Sequence, residues 1–514
     1  MTASTVLALA RGLGLSLISA NIPQLQGSFG ATSTEATWLV AAYMAPQASL
    51  TILLVKLRTQ VGLRRFAEVS IVVFALVCLL SFIATDLRSG MLVRFFWGVA
   101  AAPISTLAFF YMLEAFPPAQ KMTVALPLAI TNLSIATPVA RLISPELMDN
   151  GGWTHIAALE LGLALIGLGF VYRLPLTPIP RAKVIHWRDL LSYALLATGL
   201  GAATVALTMG RLYWWFDAPW IGWTFALSAV TLTAAVALEL NRATPLIDIR
   251  WLASPAIVHF AGALLVFRIV LAEQSSGAPG MFQALGLLNE QTRLLYLVIL
   301  AATFAGGFTC ATVMKAGREP AIHAVALVLL VIGALMDSQV TSQTRPNDML
   351  LSQALIAMAT GLFLPPAMSA GLGSALAKGP VYILSFIAVF LSTQIVGAMA
   401  GSAIFSTFIQ NRIAFHARVL YETLPATDPL VTARVAQYAG AYAQVLPSAG
   451  ARQSVGLSSL NSVVTREATV LAYGDAFFTI ALIAAAALAA LLVHITILAI
   501  LARRSAAAGA ATAS

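Results

Sequence analysis

Fourteen predominantly apolar runs, most of them about 20 residues or longer, follow one another along this chain of 514 residues. An α-helix rises about 1.5 Å per residue, so such a run can cross the roughly 30 Å hydrocarbon core of a bilayer. The chain is 60% hydrophobic and only 10% charged. A backbone in lipid needs internal hydrogen-bond partners, and strand-length alternation is absent, so the runs predict helices. We therefore predict an all-α membrane protein with fourteen transmembrane helices. The predicted spans, numbered 1 to 14, are 3–22, 35–55, 67–86, 90–114, 122–146, 154–173, 189–210, 220–240, 254–273, 292–314, 321–338, 349–375, 382–410 and 469–502.

Lysine and arginine residues are distributed unequally between the two sets of loops. The short loops on the side opposite the N-terminus contain Arg88, Arg211 and Arg345, whereas the loops on the N-terminal side contain most of the others. Because cytoplasmic loops are enriched in Lys and Arg, we expect both termini to be cytoplasmic. The net charge of +9 is dispersed over these loops and forms no basic and aromatic cluster, which argues against nucleic-acid binding.

Two connections between spans differ from the short loops elsewhere. Residues 173–188 are rich in proline and basic residues and predict a cytoplasmic linker. Residues 411–468 form a long outer segment, in which Asp428 and Pro429 are typical of a helix start. Apolar residues at helical spacing then predict an amphipathic helix that ends before Pro447. This helix either caps the neighbouring spans from outside or forms a docking surface for a periplasmic partner. Its apolar residues are Val431, Val435, Tyr438, Tyr442 and Val445.

The loop between spans 2 and 3 contains a basic motif, Val55-Lys-Leu-Arg-Thr-Gln-Val-Gly62-Leu-Arg64-Arg65. Gly62 lets two helices turn tightly, and the cations of Arg64 and Arg65 can lie near helix C-terminal carbonyl groups, which they stabilise. A related but shorter sequence, Lys315-Ala-Gly317-Arg318, lies between spans 10 and 11. The two loops occupy equivalent positions in the two halves of the chain.

Three further motifs lie inside the spans. Span 4 contains Leu92-Val-Arg94-Phe-Phe-Trp-Gly98, and span 5 contains Ala136-Thr-Pro138-Val-Ala-Arg141. Pro138 lacks a backbone N–H group, so we expect it to bend span 5. Gly397 and Gly401 in span 13 are spaced for close contact with another helix.

These motifs, in this order and on this topology, resemble the fourteen-helix drug:proton antiporter family of the major facilitator superfamily. The resemblance covers essentially the whole chain. It implies the major facilitator fold, with two six-helix bundles and two inserted helices. It divides the chain into an N-terminal bundle at 1–175, a linker with spans 7 and 8 at 176–252, and a C-terminal bundle at 253–514 that includes the outer segment 411–468.

The resemblance also assigns roles to residues. It implies that Gly62, Arg64 and Arg65 belong to a gating loop, that Pro138 belongs to the antiport motif of helix 5, and that Arg94 serves the transport cycle. The chain departs from the family pattern at Thr59, where the family has Asp, and at Arg141, where it has Gly. Span 1 contains no carboxylate, although many relatives have one there.

The predicted spans place five charged residues within the bilayer. A charge there costs several kcal/mol, so each of the five requires a structural or functional explanation. Arg94, Arg141, Glu160, Arg268 and Asp475 all fall within the outer third of their spans. Glu160 could pair with one or both of the first-bundle arginines. In the functional interpretation Glu160 or Asp475 carries the proton and an adjacent arginine controls its release. The alternative is a static salt bridge or a side chain that reaches the headgroups.

We assign no role in transport to three other charged residues. We expect Arg11 to lie near the inner end of span 1, and Glu273 and Asp337 to be solvated at the outer boundary of the membrane. No phosphate-binding loop, metal-ligand spacing or nucleophile motif occurs, so we predict no cofactor, no metal site and no enzyme activity.

The sequence therefore predicts a secondary active transporter in a bacterial inner membrane that exports small amphipathic or organic-anion compounds by alternating access, coupled to protons. Its implied partners are a small-molecule substrate, protons, the lipid bilayer, a periplasmic adaptor and an outer-membrane channel. An importer or facilitator of organic anions on the same fold is the alternative. A third hypothesis, a membrane enzyme or a sensor that does not transport, lacks the catalytic cluster or soluble domain that it would need.

Overall fold

A computed structural model describes residues 1–177, 181–242, 244–315 and 317–512. Within these ranges, fourteen helices are long and apolar enough to cross a membrane, and each contains most of one predicted span. The prediction of fourteen spans is therefore confirmed. Residues 178–180 of the predicted linker lie outside the described residues. The helices are α1 (Thr2–Ala20), α2 (Ser33–Val61), α3 (Leu63–Ile83), α4 (Leu87–Glu114), α5 (Pro118–Asp149), α6 (Trp153–Arg173), α7 (Trp187–Tyr213), α8 (Pro219–Leu240), α9 (Pro255–Ala284), α10 (Asn289–Val313), α11 (Glu319–Asp337), α12 (Pro346–Lys378), α13 (Ser385–Glu422) and α14 (Ala449–Leu501).

Local sequence explains where several helices begin and end. α2 begins with a capping box, in which the Glu35 backbone N–H donates to the Thr32 hydroxyl and Thr32 N–H donates to the Glu35 carboxylate. Asp86 and Ser89 form the equivalent box at α4. α2 ends at Val61 and is followed by Gly62, whose φ of 89° is accessible to glycine, and α3 begins at the next residue. A sharp turn therefore joins α2 to α3.

The helices form two bundles, α1–α6 and α9–α14. The apolar core of the second bundle continues onto α4 and α5 of the first, which has two further core clusters of its own. In the first bundle Gly14 of α1 lies directly against the ring of Trp97 in α4. Helix α7 packs against α2 of one bundle and α13 of the other, and α8 packs on α7. We call the membrane face where α1 begins the N-terminal face and the other the opposite face.

Two helices contain breaks, and the sequence predicted the one beside Pro138. α5 is interrupted at Ile135, one turn before Pro138, because proline lacks the N–H that would bond to the Ser134 carbonyl group. Gly12 of α1 approaches Ala136 beside this break. In α9 a π-helical turn at Glu273–Gly277 is followed by a further helix, Ala278–Ala284. The span predicted to end at residue 273 therefore continues for two to three more turns.

The outer segment 411–468 is mostly helical, because α13 extends to Glu422 and α14 already begins at Ala449. Between them lies the predicted amphipathic helix, Pro429–Gly440, capped by Asp428, whose carboxylate accepts from Leu430 N–H at 2.7 Å. It packs on α14, where Gly456 meets the backbone of Val435. The predicted end before Pro447 is wrong, since the helix stops at Gly440 and turns follow. Tyr442 and Val445 accordingly lie on the surface rather than on a packed helix face.

Candidate functional site

Arg94 of α4 and Glu160 of α6 form an ion pair in the middle of the first bundle. Arg94 Nη1 lies 2.8 Å from Glu160 Oε1, and both side chains are fully buried. The same Nη1 donates to the Gly14 carbonyl of α1 at 3.2 Å. The two residues were predicted at similar depth, and the structure brings them together across three helices.

Aromatic rings enclose the Arg94 guanidinium. Its Cζ lies 4.6 Å from the centre of the Trp153 ring and 5.6 Å from that of Trp97. Such stacking stabilises a desolvated guanidinium by about 2 kcal/mol. Arg94 Nε and Nη2 and Glu160 Oε2 nevertheless have no hydrogen-bond partner among the described residues. A buried pair with spare donors and acceptors can rearrange when Glu160 gains a proton.

Arg141 takes a different partner, in the other bundle. Its Nη1 donates to Asn289 Oδ1, at the start of α10, at 2.9 Å. Asn289 Nδ2 donates in turn to the Ala20 carbonyl, Asn21 Oδ1 and Ser144 Oγ at 3.2–3.3 Å. We call Asn21, Arg141, Ser144 and Asn289 the opposite-face cluster. It joins α1 and α5 to α10 and so connects the two bundles.

Asp475 of α14 lies beside two residues of α13 and not beside Arg268. Its Oδ2 accepts from Arg412 Nε at 2.6 Å and lies 2.6 Å from His416 Nε2. The Asp475 side chain is 35% exposed, so this cluster is more accessible than the Arg94–Glu160 pair. Sequence analysis missed Arg412 and His416 because the predicted span ended at residue 410.

Arg268 of α9 packs on the predicted glycine face of α13. A side chain built at Gly397 would meet Arg268 Cγ, and one at Gly401 would meet the Arg268 backbone. Arg268 Nε has no hydrogen-bond partner among the described residues. The positive charge of Arg11 lies near enough to repel the Arg268 guanidinium. Arg11 lies half-way along α1, so its predicted position near the inner end was wrong. In the favoured amide orientation of Gln47, its oxygen accepts from Arg11 at 3.0–3.2 Å.

The expectation that Glu273 and Asp337 are solvated was also wrong. Glu273 is fully buried and Asp337 is 2% exposed. Gln353 of α12 donates to both carboxylates, at 2.7 Å each. The error followed from the predicted end of span 9, because the continued helix places Glu273 inside the bundle.

Several known proteins are similar to this chain in sequence. It is 25% identical over 228 residues to the probable multidrug resistance protein EmrY of Escherichia coli, covering 44% of each chain. It is 23% identical over 237 residues to the fatty acid resistance protein FarB of Neisseria gonorrhoeae, covering 46% of each. The matches thus span about half the length of these curated relatives. The uncharacterized MFS-type transporter YhcA of Bacillus subtilis is 22% identical over 428 residues, which are 81% of this chain and 77% of that protein. No protein-family model matches the chain.

Similarity to solved structures extends over almost the whole chain. The crystal structure of the human organic anion transporter MFSD10 aligns with a TM-score of 0.57 at 12% identity, covering 94% of this chain and 98% of that one. This chain has the major facilitator fold. The resemblance to drug:proton antiporters inferred from the motifs is confirmed at the level of sequence by the multidrug-resistance relatives.

Within this major facilitator fold, the predicted gating loop packs against the linker. A side chain at Gly62 would meet the Arg181 side chain, and Ala182 N–H donates to the Thr59 carbonyl at 3.3 Å. Arg64 pairs with Glu68 at 2.9 Å on the surface, and the side chain of Arg65 is exposed. The predicted gating loop and the linker are therefore in direct contact at the N-terminal face.

A charged cluster lies beside the gating loop at the N-terminal face. Lys56 of α2 contacts Asp189 of α7 at 2.8 Å, and Arg242 contacts both Asp189 and Glu239 of α8. Glu239 also accepts from Leu246 and Ile247 N–H groups. Asp189 and Glu239 are almost fully buried. This cluster attaches the inserted helices of the major facilitator fold to the first bundle.

Proposed function

We propose that this protein is a proton-coupled exporter of small amphipathic compounds in a bacterial inner membrane, with both termini in the cytoplasm. The observation that carries the proposal is the buried Arg94–Glu160 pair, which links α1, α4 and α6. Its position supports a mechanism in which protonation of Glu160 frees Arg94 from its charge partner. The contact of Arg94 with α1 then weakens or shifts, and the two bundles rock around the site between them.

The coupling is tested with purified protein in liposomes under an imposed pH gradient. We expect Glu160→Gln to abolish gradient-driven accumulation while substrate exchange without a gradient continues. Glu467→Gln is the matched control, because Glu467 lies on the extramembrane part of α14 and pairs only loosely with Arg466, at 3.9 Å. If Glu160→Gln kept the pH dependence of the native protein, Glu160 would not be the coupling acid. Reversing the gradient distinguishes an exporter from an importer.

Organic anions are the substrate class that we favour. Arg11 and Arg268 lie where α1 and α9 face the inter-bundle region, and neither forms a salt bridge with an acid among the described residues. Gln394 of α13 is buried nearby, and both of its amide heteroatoms lack described partners. Two cations and an amide suit a carboxylate head group. The name of FarB, a fatty acid resistance protein, agrees with this class.

The substrate proposal predicts that liposomes accumulate laurate, a fatty acid, and that Arg268→Gln lowers this uptake. Ethidium, a lipophilic cation, provides the contrast. If ethidium moved and laurate did not, the organic-anion assignment would be wrong, although the exporter proposal would stand.

We further propose that the extended ends of α13 and α14 dock a periplasmic adaptor that leads to an outer-membrane channel. The helix Pro429–Gly440 and these ends surround an open cavity of about 690 Å³, lined largely by apolar side chains. Leu430 and Val445 beside it are 79% and 75% exposed. Apolar side chains so exposed on an extramembrane surface are typical of an interaction site.

Charged substitutions test the docking proposal without removing the helix. We expect Leu430→Glu with Val445→Glu to abolish efflux from cells and leave transport in liposomes intact. Gln437→Glu adds charge on the same helix without removing apolar surface and serves as the control. Loss of liposome transport as well, or unchanged efflux from cells, would argue against docking.

A further inference from the structure

Two carboxyl groups meet inside the second bundle, far from the Arg94–Glu160 pair. Glu273 lies on the π-helical turn of α9 and Asp337 at the end of α11. Gln353 of α12 bridges them, because its Nε2 donates to Glu273 Oε1 and to Asp337 Oδ2 at 2.7 Å each. Three helices thus hold one carboxyl pair.

The bridging amide has a fixed orientation. Gln274 Nε2 donates to Gln353 Oε1 at 3.4 Å and to the Gln353 carbonyl at 3.0 Å. With its oxygen accepting from Gln274, the Gln353 amide directs both N–H groups at the acids. Both N–H groups of the Gln353 amide are therefore used by Glu273 Oε1 and Asp337 Oδ2. Glu273 Oε2 remains buried without a hydrogen-bond partner among the described residues.

No described cation balances this pair. Among the described residues neither acid takes part in a salt bridge. On the elements around the π-helical turn, Asp475 of α14 is engaged with Arg412 and His416, and Arg268 precedes Glu273 by more than one turn on α9. Arg211 of α7 lies near Tyr473 and donates to Ser406 of α13. Tyr473 of α14 packs on Gly280. The rest of the wall on this side is aromatic, with Phe405 and Phe477 against Gly277.

Two ionised carboxylates that bind the same amide nitrogen within a membrane would repel each other and would both be desolvated. A single proton on the pair removes one charge and leaves one anion for the Gln353 amide, which binds an oxygen of each acid. Carboxyl pairs in other proteins share one proton for this reason. We infer that Glu273 and Asp337 form a second proton-binding site of the transport cycle, located in the C-terminal bundle.

The location gives the site a means to act on transport. The π-helical turn that carries Glu273 packs against α13 and α14, and it follows the part of α9 that carries Arg268. A change in the charge of the pair therefore acts beside α13, which packs against α2 of the first bundle. The transport role rests on the proton-coupled function proposed above, whereas proton binding by the pair does not.

The first experiment detects the proton directly. Infrared spectroscopy of the purified full-length protein near neutral pH is expected to show the carbonyl stretch of a protonated carboxylic acid. We expect this band to persist in Glu160→Gln and in the control Ser352→Ala, and to disappear in the double variant Glu273→Gln with Asp337→Asn. A native protein without the band, or a double variant that retains it, would overturn the inference. A band that vanishes when sodium replaces choline would also overturn it, since a metal cation would then occupy the site.

The second experiment asks whether the proton moves during transport. In liposomes loaded with laurate, we expect the double variant to lose pH-gradient-driven accumulation and to keep laurate counterflow, which also shows that it is folded. Gradient-driven accumulation at the native rate would refute a role in the cycle. If the native protein itself moved no laurate or ethidium, the proposed transport function would fail, while the infrared band would still decide whether the pair holds a proton.

Discussion

Arg141 Nη1 donates to Asn289 Oδ1 at 2.9 Å and so joins α5 of the first bundle to α10 of the second. The drug:proton antiporters that this chain resembles have a glycine where Arg141 stands. A glycine could not make this contact, and the guanidinium also lies 5.6 Å from the Tyr296 ring of α10. The departure from the family motif therefore has a structural consequence, a polar connection between the bundles at the opposite face.

Arg141→Gly should favour the state in which the opposite face is open. A hydrogen bond from a charged donor contributes about 1.5–3 kcal/mol, so its loss shifts the equilibrium by roughly tenfold or more. Spin labels at Thr85 and Gln343 lie in exposed loops of the two bundles. Double electron–electron resonance spectroscopy then measures the distance between the bundles at the opposite face. Arg88→Ala, which removes an exposed arginine at the same face, should leave the distance distribution unchanged. An equally unchanged distribution in Arg141→Gly would show that the cluster does not hold the bundles together.

Removing Arg94 should destabilise the protein more than removing the ion pair as a whole. Arg94→Ala leaves Glu160 buried without its cation, at a cost of about 3–5 kcal/mol. Arg94→Ala combined with Glu160→Gln should recover much of the thermal stability in detergent without recovering coupled transport. Arg94→Lys should not restore function, because an ammonium cannot reproduce the flat contact with Trp153. Additive effects in the double variant would contradict a direct interaction.

The two glycines of α13 should differ in their tolerance of a methyl group. A Cβ at Gly401 would lie 2.8 Å from the backbone oxygen of Arg268, whereas one at Gly397 would lie 3.3 Å from the flexible Arg268 Cγ. Gly401→Ala should therefore lower stability by about 1–3 kcal/mol, and Gly397→Ala by less. Thermal unfolding of the two variants in one detergent provides the comparison. The reverse order of melting temperatures would refute the close backbone approach.

Much of the fold and part of the site could be predicted from local patterns. Apolar run length located all fourteen helices, and the rise per residue placed Arg94 and Glu160 at the same depth, where they pair. The same reasoning failed where a helix continued through polar residues. Span 9 was ended at Glu273 and span 13 before Arg412, so one buried carboxyl was taken for a solvated one and the partners of Asp475 were missed. The partner of Arg141 lies in the other bundle, at a sequence separation that no local pattern encodes.

The inserted helices should detach from the first bundle when Asp189 is neutralised. Asp189 is fully buried and contacts both Lys56 and Arg242, so Asp189→Asn leaves Lys56 without its carboxylate and Arg242 with Glu239 alone. Breaking a buried ion pair in this way costs about 3–5 kcal/mol. Residues 182 and 185 of the linker 174–186 are bound to the neighbouring gating loop, which protects the linker from proteases. Loosening the cluster around Asp189 should weaken these contacts, so protease cleavage within the linker should accelerate. Glu68→Gln, which removes only the exposed pair with Arg64, is the control and should leave cleavage at the native rate. Slow cleavage in both variants would mean that the linker is held by its backbone contacts alone.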